Sequence, residues 1–150
     1  MKKINQQKGF TLIELVVVIV VTGVLAAVAA PKFMGVSSEA RQSAMAGVGA
    51  ALKSQINTTH AKSIMDQNED EAISNLVVEN TNVAMAFGYP NATEAAIKAL
   101  VDLDGDYKIA VAGTVATITY DVSITTNCTV VYTAATSIAS ASAVTTTSGC

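Results

Sequence analysis

The stretch KGFTLIELVVVIVVTGVLAAVAAPKF, residues 8–33, holds one carboxylate, Glu14, near the start of a long apolar run. From Phe10 to Ala30 no other residue carries a formal charge. A helix of that length reaches about 31 Å, which matches a bilayer hydrocarbon core of about 30 Å. A carboxylate inside such a segment costs roughly 2.5–3.5 kcal/mol on insertion scales. The molecule must therefore contain, or later meet, a group that answers Glu14.

The rest of the chain sets the frame for that charge. Its 150 residues allow one domain with a modest core. Hydrophobic residues make up 51% and charged residues 14%, and the apolar excess sits in the N-terminal run and in alanines. Beyond it, Ala, Thr, Ser and Val dominate, a composition suited to strands and small-residue packing. Net charge is −3 and the only strongly basic patch is Lys2, Lys3 and Lys8, so there is no electrostatic footprint for nucleic acid. These lysines precede the apolar run, whereas Lys32, Glu39 and Arg41 follow it, which puts the N-terminus in the cytoplasm and the remainder on the exoplasmic side. Two cysteines, Cys128 and Cys150, fit that compartment as a single disulfide. Closing that loop would stabilise the fold by roughly 3.4 kcal/mol in the chain-entropy model.

Two plainer readings of the N-terminus compete. Ala27-Val28-Ala29 before Pro31 has the small residues of a signal-peptide cleavage site, but signal cores run to only about 7–15 apolar residues. A plain membrane anchor explains the length. Neither explains Glu14.

The short basic leader ending in Gly9, then Phe10 and the sequence TLIE, resembles the class III signal of type IV pilins and related pseudopilins. Gly9, Phe10, Thr11, Glu14 and Pro31 all stand at the family's relative positions. The resemblance implies that prepilin peptidase cuts between Gly9 and Phe10 and that Phe10 is N-methylated. It divides the chain into a leader (1–9), a transmembrane and assembly helix (10–31) and a globular pilin domain with a C-terminal disulfide loop (32–150). The implied fold is α+β, a long N-terminal helix packed on an antiparallel sheet.

With that resemblance, Glu14 acquires a physical role. Cleavage would create a cationic amine at Phe10 one helical turn from Glu14, and the carboxylate also complements the positive end of the helix. In a staggered bundle, Glu14 of one subunit can meet the Phe10 amine of its neighbour, where low dielectric strengthens the pairing. The charge becomes a register device for assembly. Gly23 and Pro31 weaken the same helix, and the resemblance implies that this stretch loses helical order in assembled filaments.

Past Pro31, Val36, Ala40, Ala44, Val48, Leu52 and Ile56 keep a four-residue spacing. That spacing drifts about 40° per step, so Met45 and Ala51 share the buried face. Ala46, Gly47, Gly49 and Ala50 allow a close backbone approach. A polar, acidic run follows, then GYP as a turn; the resemblance implies that this region, on through the next short helix, is the variable connecting segment between the long helix and the sheet. Asn91 with Glu94 reads as a helix-start box for a short amphipathic helix with Ala95, Ala96, Ile97, Leu100, Val101 and Leu103 on its apolar side. Asp102, Asp104 and Asp106 suggest calcium, yet an EF-hand loop needs Gly at its sixth position and Glu at its twelfth, where Tyr107 and Gly113 stand. A helix-to-strand turn is the expectation, with no metal.

YKIAVAG, TVATITYDVSI and CTVVYTAATSI read as antiparallel strands. In the second, Ile118, Tyr120 and Val122 alternate with Thr117, Thr119 and Asp121, giving one face to bury. The Cys128–Cys150 loop is placed to cover a sheet edge. The resemblance implies a C-terminal disulfide of the type IVa class, most like the mannose-sensitive haemagglutinin pilins.

No arrangement of nucleophile, base or phosphate loop supports catalysis, no cofactor is expected, and the single histidine, His60, reads as solvated or packed. The expectation is a structural major subunit. It would sit in the inner membrane as a precursor and then assemble into an extracellular helical homo-oligomer on a Gram-negative cell for attachment, with motility as a further use. Prepilin peptidase, the assembly platform, a motor and a secretin are the implied partners. A pseudopilin or minor pilin of a type II secretion-like system is the alternative, and a monomeric membrane-anchored adhesion module a more distant one.

Overall fold

The computed structural model describes residues 10–67, 69–72, 74–78, 81–103, 105, 107–120 and 126–150, without the side chains of 33–35 and 74. The leader 1–9, Asp104, Asp106, Asp121 and Val122 lie outside the described residues. Helix α1 (Leu12–Met65) precedes β1 (Ser74–Val78), β2 (Thr81–Ala86) and β3 (Tyr89–Pro90). Helix α2 (Glu94–Leu100) and strands β4 (Lys108–Ala112), β5 (Val115–Thr119), β6 (Thr129–Thr133) and β7 (Ser142–Thr146) follow. The fold is α+β, a long N-terminal helix followed by antiparallel sheets. By its contacts the chain divides into a first unit ending at Ser38 and a second, Glu39–Cys150.

In the first unit every described side chain from Phe10 to Lys32 is exposed, including Leu12 at 81% and Val28 at 67%. Within it lies a stretch long and apolar enough to cross a membrane. A helix apolar on all sides requires lipid or other helices around it.

In the second unit α1 has a single buried stripe: Met45, Val48, Leu52, Ile56, Thr59 and Ser63. Their steps of three and four follow the 3.6-residue turn. The stripe starts at Met45, not at the expected Val36: Val36 is 56% exposed, and Ala40 and Ala51 are exposed as well. A strict spacing of four cannot stay on one face, and the apolar positions that found a partner follow the true period. The two buried hydroxyls are satisfied locally: Thr59 Oγ1 donates to Gln55 O (2.8 Å), and Ser63 Oγ lies 2.8 Å from His60 O.

The main core joins that stripe to a four-stranded antiparallel sheet of order β4-β5-β6-β7. Cross-strand register aligns Ile109, Ile118, Val130 and Thr145 in one row, and Val111, Ala116, Tyr132 and Ala143 in another. Ile118, Val130, Ala116 and Tyr132 are fully buried, while Thr117, Thr119 and Val131, on the opposite face, are half-buried. Period-two alternation produces this split. Tyr120 packs edge-on against Tyr107, centroids 5.3 Å apart.

The segment read as a variable connector contains a second sheet, β1-β2-β3. Its core is Leu76, Val78, Val83 and Met85, with Ala96 of α2. The β2–β3 turn is Phe87–Gly88, both at positive φ (51° and 75°), as a two-residue type I′ hairpin requires. Tyr89 and Pro90 of the expected GYP turn are instead paired with β2. Gly88 carries a further constraint, because a Cβ there would lie 2.9 Å from both His60 Nδ1 and Ser63 Oγ. His60 is packed: its Nδ1 is 3.0 Å from Gly88 O, and its ring stacks on Tyr89 at 4.0 Å.

The helix-start box also needs correction. Thr93, not Asn91, caps α2: its backbone is extended and its hydroxyl accepts from Ala96 N at 3.2 Å. The Asn91 amide instead donates to Ala84 O across to β2, so Asn91 still belongs to the strand connection. Ala96, Ile97 and Leu100 are buried whereas Ala95 is exposed, and Val101 is the C-cap. Glu94 pairs with Lys98 at 2.7 Å on the surface, and that hydrogen bond holds its carboxyl below the usual value.

Residues 142–146, within the loop expected to cover a sheet edge, are the edge strand β7. The C-terminal loop does not merely cover the sheet edge; it supplies it.

Candidate assembly site

The site is built at the N-terminus of α1. Thr11 precedes the first helical residue, and Glu14 sits in the first turn. Thr11 N donates to Glu14 Oε2 at 2.9 Å, Thr11 Oγ1 donates to the same oxygen at 2.6 Å, and Glu14 N approaches Thr11 Oγ1 at 3.4 Å. This is a reciprocal capping box: the carboxylate takes up an orphan backbone donor, and the hydroxyl faces the helix's own amide. The negative charge also lies at the positive end of the helix. Glu14 is therefore answered within the single chain by Thr11.

Sequence reasoning assigned Glu14 to a future amine and missed this partner. The signal was present, since T-x-x-E at a helix start is the capping-box pattern, here Thr11-Leu12-Ile13-Glu14. Phe10 is 80% exposed beside the box, and with Ile13, Glu14, Val17 and Val18 it lines a shallow, mostly apolar hollow. Gly9, the other half of the expected cleavage bond, lies outside the described residues.

Further along, α1 runs through both Gly23 and Pro31, and a Cβ at Gly23 would meet nothing within 4 Å. Thr22 Oγ1 donates to Val18 O at 2.7 Å, which satisfies this hydroxyl within the helix.

At the opposite end of the chain, Cys128 and Cys150 are joined across 22 positions of sequence, and both are buried. Gly149 N donates to Asn127 O at 2.9 Å, and Arg41 Nε donates to Cys150 O at 2.9 Å. Asp102 is exposed. Among the described residues no three His, Cys, Asp or Glu side chains are grouped to hold a metal.

Residues 4–30 match the model of the prokaryotic N-terminal methylation motif. The chain is 46% identical over 59 residues to the major component of the type IV narrow pilus of Thermus thermophilus, covering 38% of this chain and 51% of that one. It is 32% identical over 82 residues to type II secretion system core protein G of Vibrio cholerae, covering 55% of this chain and 56% of that one. Over 53 residues it is 43% identical to the type IV major alpha-pilin of Moraxella bovis, covering 35% of this chain and 33% of that one. The chain thus spans about half or less of the length of these relatives. All three are components of pili or of a secretion system, and none is an enzyme. No solved structure gives a significant match.

Proposed function

We propose that this chain is a type IV pilin-type structural subunit, held in a membrane by α1 and assembled through that helix into a filament. The observation that carries this reading is the Thr11–Glu14 box at the head of a stretch, Phe10–Ala30, that is otherwise uncharged and exposed throughout. A carboxylate kept at that depth is costly in lipid, and Thr11 lowers the cost while the subunit waits. Prepilin peptidase would cleave between Gly9 and Phe10, and Phe10 would be methylated. The cationic amine so created lies within reach of the Glu14 carboxylate of a neighbouring subunit. Exchange of Thr11 for that amine, in a helical bundle of low dielectric, favours the filament over the membrane and sets the axial step.

Gly23 and Pro31 are the weak points at which the helix yields in the filament. The finer reading is a type IVa major pilin of the mannose-sensitive haemagglutinin kind, serving attachment at a Gram-negative surface, and the Cys128–Cys150 bridge supports it. The inner-membrane platform, motor and secretin are the partners of such a subunit. A second reading, a core-protein-G-type pseudopilin, is favoured by the greater length of that match, 82 residues against 53–59 for the two pilus components. Recovery of the subunit from sheared surface filaments selects the first reading. Confinement to the cell envelope selects the second.

Replacing Glu14 by Leu tests the common mechanism. The variant is expected to remain at wild-type level in the membrane and to yield few or no filaments. Abundant normal filaments would remove Glu14 from the assembly mechanism.

A further inference from the structure

We propose that the hollow between two turns of the second unit, Phe87–Gly88 and Thr136–Ala139, is a binding site for one pyranose ring of a neutral glycan.

The hollow has a volume of about 220 Å³, below the roughly 300–1,000 Å³ of sites for drug-sized ligands, and so suits a single ring. Phe87, Tyr89 and Ile138 give it apolar walls, and Thr136, Ser137 and Ser140 add hydroxyls. The described lining brings no charged side chain. A pyranose has the matching surface. The C–H groups on its face are attracted to the negative face of an aromatic ring, and the hydroxyls at its rim exchange hydrogen bonds with Ser and Thr in either direction.

Three of these residues are built for more than a turn. Phe87 stands at φ 51°, where a bulky side chain is strained and Asn, Asp or Gly is the ordinary choice. Such strain concentrates at ligand sites, and here it keeps an aromatic ring at the hollow. Ile138 is 94% exposed, yet its turn is ordered: Thr136 N donates to Ala139 O at 2.8 Å, and Ala139 N to Thr136 O at 3.3 Å. A large apolar side chain is thus held in water where Ser, Asn or Gly would serve the turn better. Tyr89 is fixed twice, by pairing with Ala86 in the small sheet and by stacking on His60, centroids 4.0 Å apart and planes 9° from parallel. His60 is held in turn, with Nδ1 3.0 Å from Gly88 O. The Tyr89 ring therefore meets the hollow with its remaining face and rim, already ordered, which lowers the entropic cost of binding.

A ligand of this size binds a single site in the about millimolar range. Repetition along a filament would add avidity, but the site belongs to one chain and does not rest on the filament reading.

Amide NMR of the full chain in detergent micelles tests this, with a series of methyl hexopyranosides, beginning with those of glucose and galactose, added to about 50 mM. At least one should shift the amides of residues 87–89 and 136–140. Cyclohexanol, of the same ring size without the set of hydroxyls, should not. Phe87→Asn suits the turn backbone, so its Tm should be unchanged or higher while affinity falls about tenfold. Ile138→Ser changes a solvated side chain and should weaken binding several-fold at unchanged Tm. Val77→Thr, at an exposed position outside the lining, should change neither. No shift at these amides with any hexoside, or full affinity in Ile138→Ser, overturns the proposal. A stronger response to cyclohexanol or to N-acetyl-leucinamide than to the hexosides makes the hollow an apolar peptide site and overturns it as well. None of these readouts needs a filament, so this site and the filament reading fail separately.

Discussion

Thr145 of β7 occupies the space that a side chain at Gly49 of α1 would need: a Cβ on Gly49 would overlap Thr145 Oγ1 and lie 3.1 Å from Thr145 Cβ. The helix can approach the edge strand because position 49 carries no side chain. Gly49→Ala gains about 1 kcal/mol of helix propensity but overfills the contact, which costs roughly 1–3 kcal/mol. The expected net result is a lower Tm for Gly49→Ala and recovery in the Gly49→Ala, Thr145→Ala double variant. A rise in Tm for Gly49→Ala alone would mean that β7 yields freely.

Tyr132, fully buried on β6, donates its phenolic hydrogen to Pro90 O and so ties the large sheet to the end of β3. Tyr132→Phe leaves a buried carbonyl without this donor, and about 1–3 kcal/mol of stability should be lost. Burial foremost, and then the nearby Tyr89, push the Tyr132 hydroxyl well above its ordinary value. The unfolded chain ionises at about pH 10 while the folded chain stays neutral. This contribution is therefore complete below about pH 10 and is lost as pH rises through the folded value. Thermal unfolding should show a steeper decline in alkali for the native protein than for Tyr132→Phe, and parallel curves would contradict that assignment.

Cys150→Ser should lower stability by about 3 kcal/mol, the loop-closure contribution of a bridge of this span. Adding reductant to the native protein should bring its thermal unfolding down to that of the variant. An unchanged Tm in both experiments would make the bridge irrelevant to stability.

Legibility in the sequence follows the strength of each local signal. The apolar run with its TLIE head, and the alternation in TVATITY, state helix and strand outright because an apolar surface on all sides and one on a single face leave different patterns. The β1–β3 sheet is hidden because its strands sit in a polar, acidic stretch and their apolar residues, Leu76, Val78, Val83 and Met85, face a small core shared with α2. Strand β7 is harder still: SAVTT has little hydrophobicity, and what makes it a strand is pairing with β6 and the space left by Gly49. The cap of α2 was misplaced by two residues because Asn91 and Thr93 are both good caps. Only the Asn91–Ala84 hydrogen bond, a tertiary fact, decides between them. At the N-terminus the T-x-x-E spacing of Thr11 and Glu14 carries the box, but the lone charge is the stronger signal and the hydroxyl three residues before it the weaker.

Thr11→Val removes that hydroxyl donor while keeping the backbone amide. Loss of a capping hydroxyl costs about 1 kcal/mol at a helix start, and Glu14 loses one of its two Thr11 donors. The expected outcome is a lower filament yield per membrane-held subunit, with Thr11→Ser near the native yield. Equal yields for Val and Ser would show that the box has no part in handing Glu14 to the filament.

The central claim is that the apolar helix is retained, processed at Phe10 and built into a surface filament. The most direct test is to shear filaments from native cells and take the intact mass and N-terminal sequence of this subunit. The account predicts a chain that begins at methylated Phe10 and is two hydrogens lighter than the dithiol. A chain missing from the sheared fraction, still bearing Met1, or cut after Ala29 or Ala30, would contradict it and leave a membrane anchor or a secreted domain.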